Sequence, residues 1–178
     1  QITDILGPVR MVESWEKAVQ DVIKYINKAK DEILLASRHH DMRIMEACLI
    51  ATQRQVKIRY LIDKELKFSS VAQMVLSTLF TNNNILSNFF NLLKSPRFKM
   101  KYVSLPYSFI VVDGEYSMVE VPTPLKKKFS LAFLFHNKRL SKRLLESFKG
   151  LWEKGSDINI LNQIGNSEVE TAFHRDSK

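Results

Sequence analysis

The sequence predicts an α/β domain: one mixed sheet flanked by helices, in a single unit. Three observations lead there. The first sixty residues change apolar period in the order helix, strand, helix, strand, which describes a crossover unit with parallel strands. Two apolar runs around residues 106–121 meet at Asp113-Gly114, a strong short hairpin signal. A sharply amphipathic stretch from Lys138 to Lys154 then supplies a helix able to cover a sheet face.

The elements follow in order. Ser14 suits an N-cap, and Trp15, Val19, Val22, Ile23 and Ile26 recur on one helical face behind it. Glu32 to Ala36 is a short apolar run, read as a buried strand. Asp41 caps a second helix whose inner face carries Ile44, Ala47, Cys48 and Ala51. Val56, Ile58, Tyr60 and Ile62 alternate with Lys57, Arg59 and Leu61 in a half-buried strand that ends at Asp63. Residues 71–80 and 85–93 each read as helical, separated by the polar break Thr81-Asn82-Asn83-Asn84. Phe98 to Val103 is a strand leading into the hairpin, which Pro122-Thr123-Pro124 closes because proline donates nothing to a ladder. Phe129, Leu131, Phe133 and Phe135 alternate with Ser130, Ala132 and His136 in a further strand. Leu140, Leu144, Phe148, Leu151 and Trp152 stripe the last helix, with Gly155 as its C′ residue. Residues 1–155 form the domain; residues 156–178 supply an edge strand at Ile158-Asn159-Ile160-Leu161 and a frayed tail.

Bulk properties narrow the function. At 178 residues, 45% of them hydrophobic, the chain can bury a core without staples. Its single cysteine excludes an internal disulfide and fits a reducing compartment, so a cytoplasmic protein is expected. No apolar run reaches the ~20 residues of a spanning helix, so no membrane partner is expected. Gln1 in place of an initiator Met is expected to begin a piece of a longer protein. The net charge of +8 favours acidic partners. The excess lies late, in Lys126, Lys127, Lys128, Lys138, Arg139, Lys142, Arg143, Lys149 and Lys154.

The run Pro106-Tyr107-Ser108-Phe109-Ile110-Val111-Val112-Asp113-Gly114 resembles the active-site hairpin of the phospholipase D superfamily, whose motif is His-x-Lys-x-x-x-x-Asp-Gly. Asp113 and Gly114 match it. Pro106 stands at the nucleophilic His and Ser108 at the Lys, and Glu120-Val121 replace the Gly-Ser pair that usually follows. Proline and serine cannot form the phospho-enzyme that histidine forms, and the one other His-x-Lys, His136-Asn137-Lys138, has Arg143 where the motif has Asp, so the chain is not expected to be an enzyme.

The order and spacing of Ile33-Leu34-Leu35-Ala36-Ser37, Val56 to Ile62, the hairpin, and Leu144 to Trp152 also resemble the effector domain of TrmB-type archaeal transcriptional regulators. That resemblance implies a phospholipase D-like domain without catalysis, which senses a ligand, forms a homodimer, or does both. DNA would be contacted by a winged-helix part upstream. No helix-turn-helix pattern precedes Ser14. Two alternatives stand beside this: a single-motif phosphodiesterase acting as a dimer, and a nucleic-acid-binding domain using the basic C-terminal helix.

Ligands in open α/β sheets collect at the carboxyl ends of parallel strands. Those ends carry Ser37-Arg38-His39-His40-Asp41 and Asp63-Lys64. The candidate ligand-binding residues are Arg38, His39, His40, Asp41, Arg43 and Asp63, suited to a small polar or anionic molecule beside a helix N-terminus. The histidines are expected to add positive charge as pH falls from about 8 to 6. No cofactor is expected. Nor is a metal, since His39, His40, Asp41 and His136 lack ligand spacing. Cys48 reads as a core thiol and Asp113 as a turn residue. Self-association is expected through residues 71–93, where apolar side chains exceed what one helical face can bury.

Overall fold

The computed structural model of the chain describes residues 8–66, 91, 94–123 and 128–158. The alternation of apolar periods produces a three-layer arrangement. In chain order the strands are β1 (Val9–Val12), β2 (Glu32–Ser37), β3 (Lys57–Asp63), β4 (Phe98–Val103), β5 (Phe109–Val112), β6 (Tyr116–Val121), β7 (Leu131–His136) and β8 (Ser156–Asp157). They join in one mixed sheet of order β1-β7-β6-β5-β2-β3-β4-β8. Among the described residues only the β2–β3 and β3–β4 pairs are parallel. Helices α1 (Trp15–Lys28) and α2 (Met42–Gln53) cover one face, and α3 (Lys138–Lys154) covers the other.

Local chemistry sets the helix starts. Ser14 Oγ accepts the Lys17 amide at 3.2 Å, the Asp41 carboxylate accepts the Arg43 amide at 2.9 Å, and Asn137 Oδ1 accepts the Leu140 amide at 2.9 Å. Inner faces follow the stripes. Val19, Val22 and Ile26 of α1 pack with Ile44, Ala47 and Cys48 of α2 against Ile33, Leu35, Ile58 and Ile110. Leu144 and Phe148 of α3 pack against Leu34, Leu61, Phe109 and Val111. Burial pushes the Cys48 thiol up to about 12, which leaves it an unreactive core group.

Four details differ from the sequence reading. β3 is not half-buried: Leu61 is 0% exposed, because α3 covers the face that alternation assigned to solvent. β1 pairs antiparallel with β7 in a segment the sequence reading left unassigned. The β5–β6 connection holds three residues, Asp113 to Glu115, although both Asp113 (φ 52°) and Gly114 (φ 68°) take the left-handed backbone expected of the turn. Gly155 has φ −73° and needs no left-handed freedom; a Cβ there would come within 3.0 Å of Lys101 Cβ. The last strand among the described residues is the two-residue Ser156–Asp157; of the expected edge strand at residues 158–161 only Ile158 is described. Apart from residue 91, the helices expected over residues 71–80 and 85–93, and most of the tail, lie outside the described residues.

Candidate functional site

β2 and β3 run parallel, so their carboxyl ends open at one edge of the sheet. There the chain folds around a cavity of about 570 Å³, lined among the described residues by Trp15, Arg38, His39, His40, Asp63, Glu65, Leu66, Lys128 and Phe129. Arg38, His39, His40 and Asp63 were legible as candidates from strand ends alone.

Arg38, His39 and Asp63 are held in place by neighbours. Ser37 Oγ donates to the His39 carbonyl and accepts the His39 amide at 3.0 Å, which fixes the turn leaving β2. Ser108 Oγ accepts the Arg38 amide at 2.8 Å. Asp63 is 4% exposed; its Oδ1 accepts the Leu105 amide at 3.2 Å, and its Oδ2 lies 3.7 Å from Arg38 Nε. His39 Nε2 lies 2.8 Å from Glu120 Oε1 and 2.9 Å from Oε2, so the carboxylate grips that nitrogen with both oxygens. The His39 ring also packs on Trp15, at 4.9 Å between centroids.

His40 behaves differently from the expected cation. Neither ring nitrogen has a hydrogen-bond partner among the described residues, and burial outweighs the attraction of Asp41 to push its pKa down. It is a neutral imidazole at neutral pH, and the cavity wall carries the cations Arg38 and Lys128 together with the carboxylates Asp63 and Glu65.

Asp41 and Arg43 are turned to other work. Burial acts to raise the Asp41 carboxyl, but hydrogen bonds from the Arg43 side chain and amide outweigh it and bring the pKa below the ordinary value. The Arg43 fork also reaches Glu16 Oε1 at 2.6 Å, so the guanidinium ties α2 to α1.

The motif remnant is divided between the two ends of β2. Pairing of Val112 with Ile33 and Phe109 with Ala36 puts Ser108 at the cavity end and Asp113-Gly114 at the opposite end. Asp113 accepts three amides there, from Lys30 (2.9 Å), Asp31 (2.9 Å) and Glu32 (3.0 Å). It closes the α1–β2 loop and stands away from the cavity. Pro106 lies on the exposed loop after β4. His136 is also remote, stacked on Tyr116 at 4.2 Å between centroids. Among the described residues no cluster of three or more metal-ligating side chains occurs, and no helix is long and apolar enough to cross a membrane.

Sequence reasoning missed Trp15, Glu65, Leu66, Lys128 and Phe129 as lining residues, and Glu120 as the partner of His39. Glu120 carried a signal: a carboxylate inside an apolar strand, where the resembled motif has glycine.

No protein-family model and no curated protein matches the chain in sequence. Solved structures do match in shape. TrmBL2, described as an archaeal chromatin protein with a novel mode of DNA binding, superposes with a TM-score of 0.61 at 18% identity, over 84% of this chain and 54% of its own. This chain therefore spans about half the length of TrmBL2. The phospholipase D family member Nuc from Salmonella typhimurium gives 0.61 at 22% identity, over 85% of this chain and 98% of its own. NucT from Helicobacter pylori gives 0.61 at 12% identity, over 85% and 99%. The fold is phospholipase D-like.

Proposed function

We propose that this chain is a non-catalytic ligand-sensing domain, of the kind found in TrmB-type archaeal regulators, and that it takes a small polar or anionic molecule in the cavity at the ends of β2 and β3. The observation that carries the reading is the fate of the motif positions. Ser108, at the place of the motif lysine, spends its hydroxyl on the Arg38 amide, and Asp113 spends its carboxylate on three backbone amides at the far end of β2. Both are structural there, while the cavity retains the cation Arg38 beside buried Asp63. Such a site can recognise charge and hydroxyls without supplying a nucleophile from the hairpin. In this reading DNA is contacted by another part of the full protein, and the domain pairs with a second copy.

Thermal-shift screening with inorganic phosphate, nucleotides, phosphorylated sugars and simple sugars tests it. A ligand at ~100 times its dissociation constant adds ~2.7 kcal/mol of stability. Hits should be lost in Arg38→Ala; hits that persist unchanged place the ligand elsewhere.

A second reading is favoured by one observation. Arg139, Lys142, Arg143, Lys149 and Lys154 are exposed on α3 with only Glu146 and Glu153 among them. If α3 itself binds duplex DNA, affinity falls steeply with salt and is lost on replacing Lys142 and Arg143 by Glu. The first reading expects neither result from the isolated domain.

A further inference from the structure

A second cavity, of about 50 Å³, lies beneath α1 and shares Trp15, His39 and Phe129 with the first. Its remaining wall is mostly aliphatic, with Val19, Val22, Leu35, Ile110, Met118 and Ala132 from α1 and the sheet. The polar side chains that border it are already engaged. Ser37 is bonded to the His39 backbone, Ser108 to the Arg38 amide, and Glu120 to His39 Nε2. The aliphatic majority of the wall suits an apolar guest, and each bordering polar side chain already has a partner. The two chambers thus differ in chemistry and meet at the three rings, whose centroids lie 4.9 Å (Trp15–His39), 5.7 Å (Trp15–Phe129) and 6.4 Å (His39–Phe129) apart.

We propose that the ligand of this site is amphipathic: a small anion with a short aliphatic arm. Its charged end sits in the outer cavity near Arg38 and Lys128, and its arm passes Trp15 and Phe129 into the inner one. The inference rests on the ligand-binding reading above and narrows it. Orientation follows from charge. The Glu120 carboxylate lines the inner chamber and repels an anion from it, while the cations Arg38 and Lys128 stand in the outer wall, which also carries Asp63 and Glu65. Length follows from volume, since a chamber of this size holds an arm of about three carbons, a single water needing roughly 10–15 Å³ on the same measure.

Calorimetric titration of the domain with inorganic phosphate and with methyl-, ethyl-, propyl- and hexylphosphonate tests it. All present a similar anionic head, so only the arm varies. The expected result is a gain of about fourfold in affinity per methylene from methyl to propyl, the value for burying a CH₂, and no further gain for hexyl. Ala132→Met, which fills the inner chamber, should flatten the series and leave inorganic phosphate binding unchanged. Val22→Phe serves the same purpose from the α1 side if the first variant does not fold. A flat series in the parent protein, with phosphate bound, overturns the proposal and leaves the ligand-sensing reading standing. A series that rises equally in the filled variants puts the arm elsewhere and also overturns it. Failure of phosphate and every phosphonate to bind overturns it too; a thermal shift with neutral sugars would then show the broader reading surviving alone.

Discussion

Asp113 shows how one carboxylate in a turn can hold a fold together. Its carboxylate gathers the amides of Lys30, Asp31 and Glu32, three donors that α1 and β2 leave without partners where one ends and the other begins. Asp113→Ala should cost about 1.5–3 kcal/mol, the range for hydrogen bonds to a charged group, read from the urea midpoint at constant slope. Asp113→Asn keeps one acceptor oxygen and should cost less. Equal melting of all three proteins would remove Asp113 from this role. Gly114→Val, placing a β-branched residue at φ 68°, should cost roughly 1–3 kcal/mol, and a variant as stable as the parent would contradict the turn. His40 carries a pH signature. Burial depresses its pKa in the folded protein, so below the unfolded value of about 6.5 the unfolded chain takes up the proton first. The His40 contribution is therefore complete above pH 6.5 and is lost as pH falls below it. His40→Gln should flatten that part of the stability profile; an unchanged slope would mean His40 protonates as readily folded as unfolded.

At the scale of elements, α3 decides what the strand pattern could not. Alternation in β3 reads as one buried face and one wet face, yet Leu61 is as buried as Ile58, because α3 lies over β2, β4, β5 and β6. The stripe of α3 was legible, and so was its amphipathic partner α1; which strands each would cover was not, since that depends on sheet order. Leu61→Ala should cost about 2–5 kcal/mol, as for a fully enclosed leucine, in denaturant unfolding. A cost below 1 kcal/mol would mean that α3 does not seal that face. The same limit explains the site. Strand ends announced Arg38, His39, His40 and Asp63, since a crossover unit must bring them together. Trp15, Lys128 and Phe129 arrive from α1 and from the segment before β7, and only the sheet order β7-β6-β5-β2 makes them neighbours. β1 was missed because its four residues depend on β7 for a partner, a pairing invisible at the level of local period.

The whole molecule combines a phospholipase D-like frame with a hairpin whose key positions serve structure. Its positive charge draws anions towards it without selecting among them, so in the proposed function selection falls to the cavity. Self-association belongs to this scale as well. The surface expected to carry it, residues 71–93, lies outside the described residues. Val9 and Met11, 43% and 52% exposed on the edge strand β1, give a further reason to expect pairing. Sedimentation equilibrium at high micromolar concentration should report a dimer, and a clean monomer there would remove pairing from the account. The central claim is that the cavity binds without reacting. Phosphorus NMR of bis(p-nitrophenyl) phosphate with the purified domain tests both halves together. The account predicts a substrate resonance that broadens or shifts on adding protein, recovers in Arg38→Ala, and gives rise to no product signal over hours. A growing monoester resonance, dependent on folded protein and absent with Arg38→Ala, would contradict it.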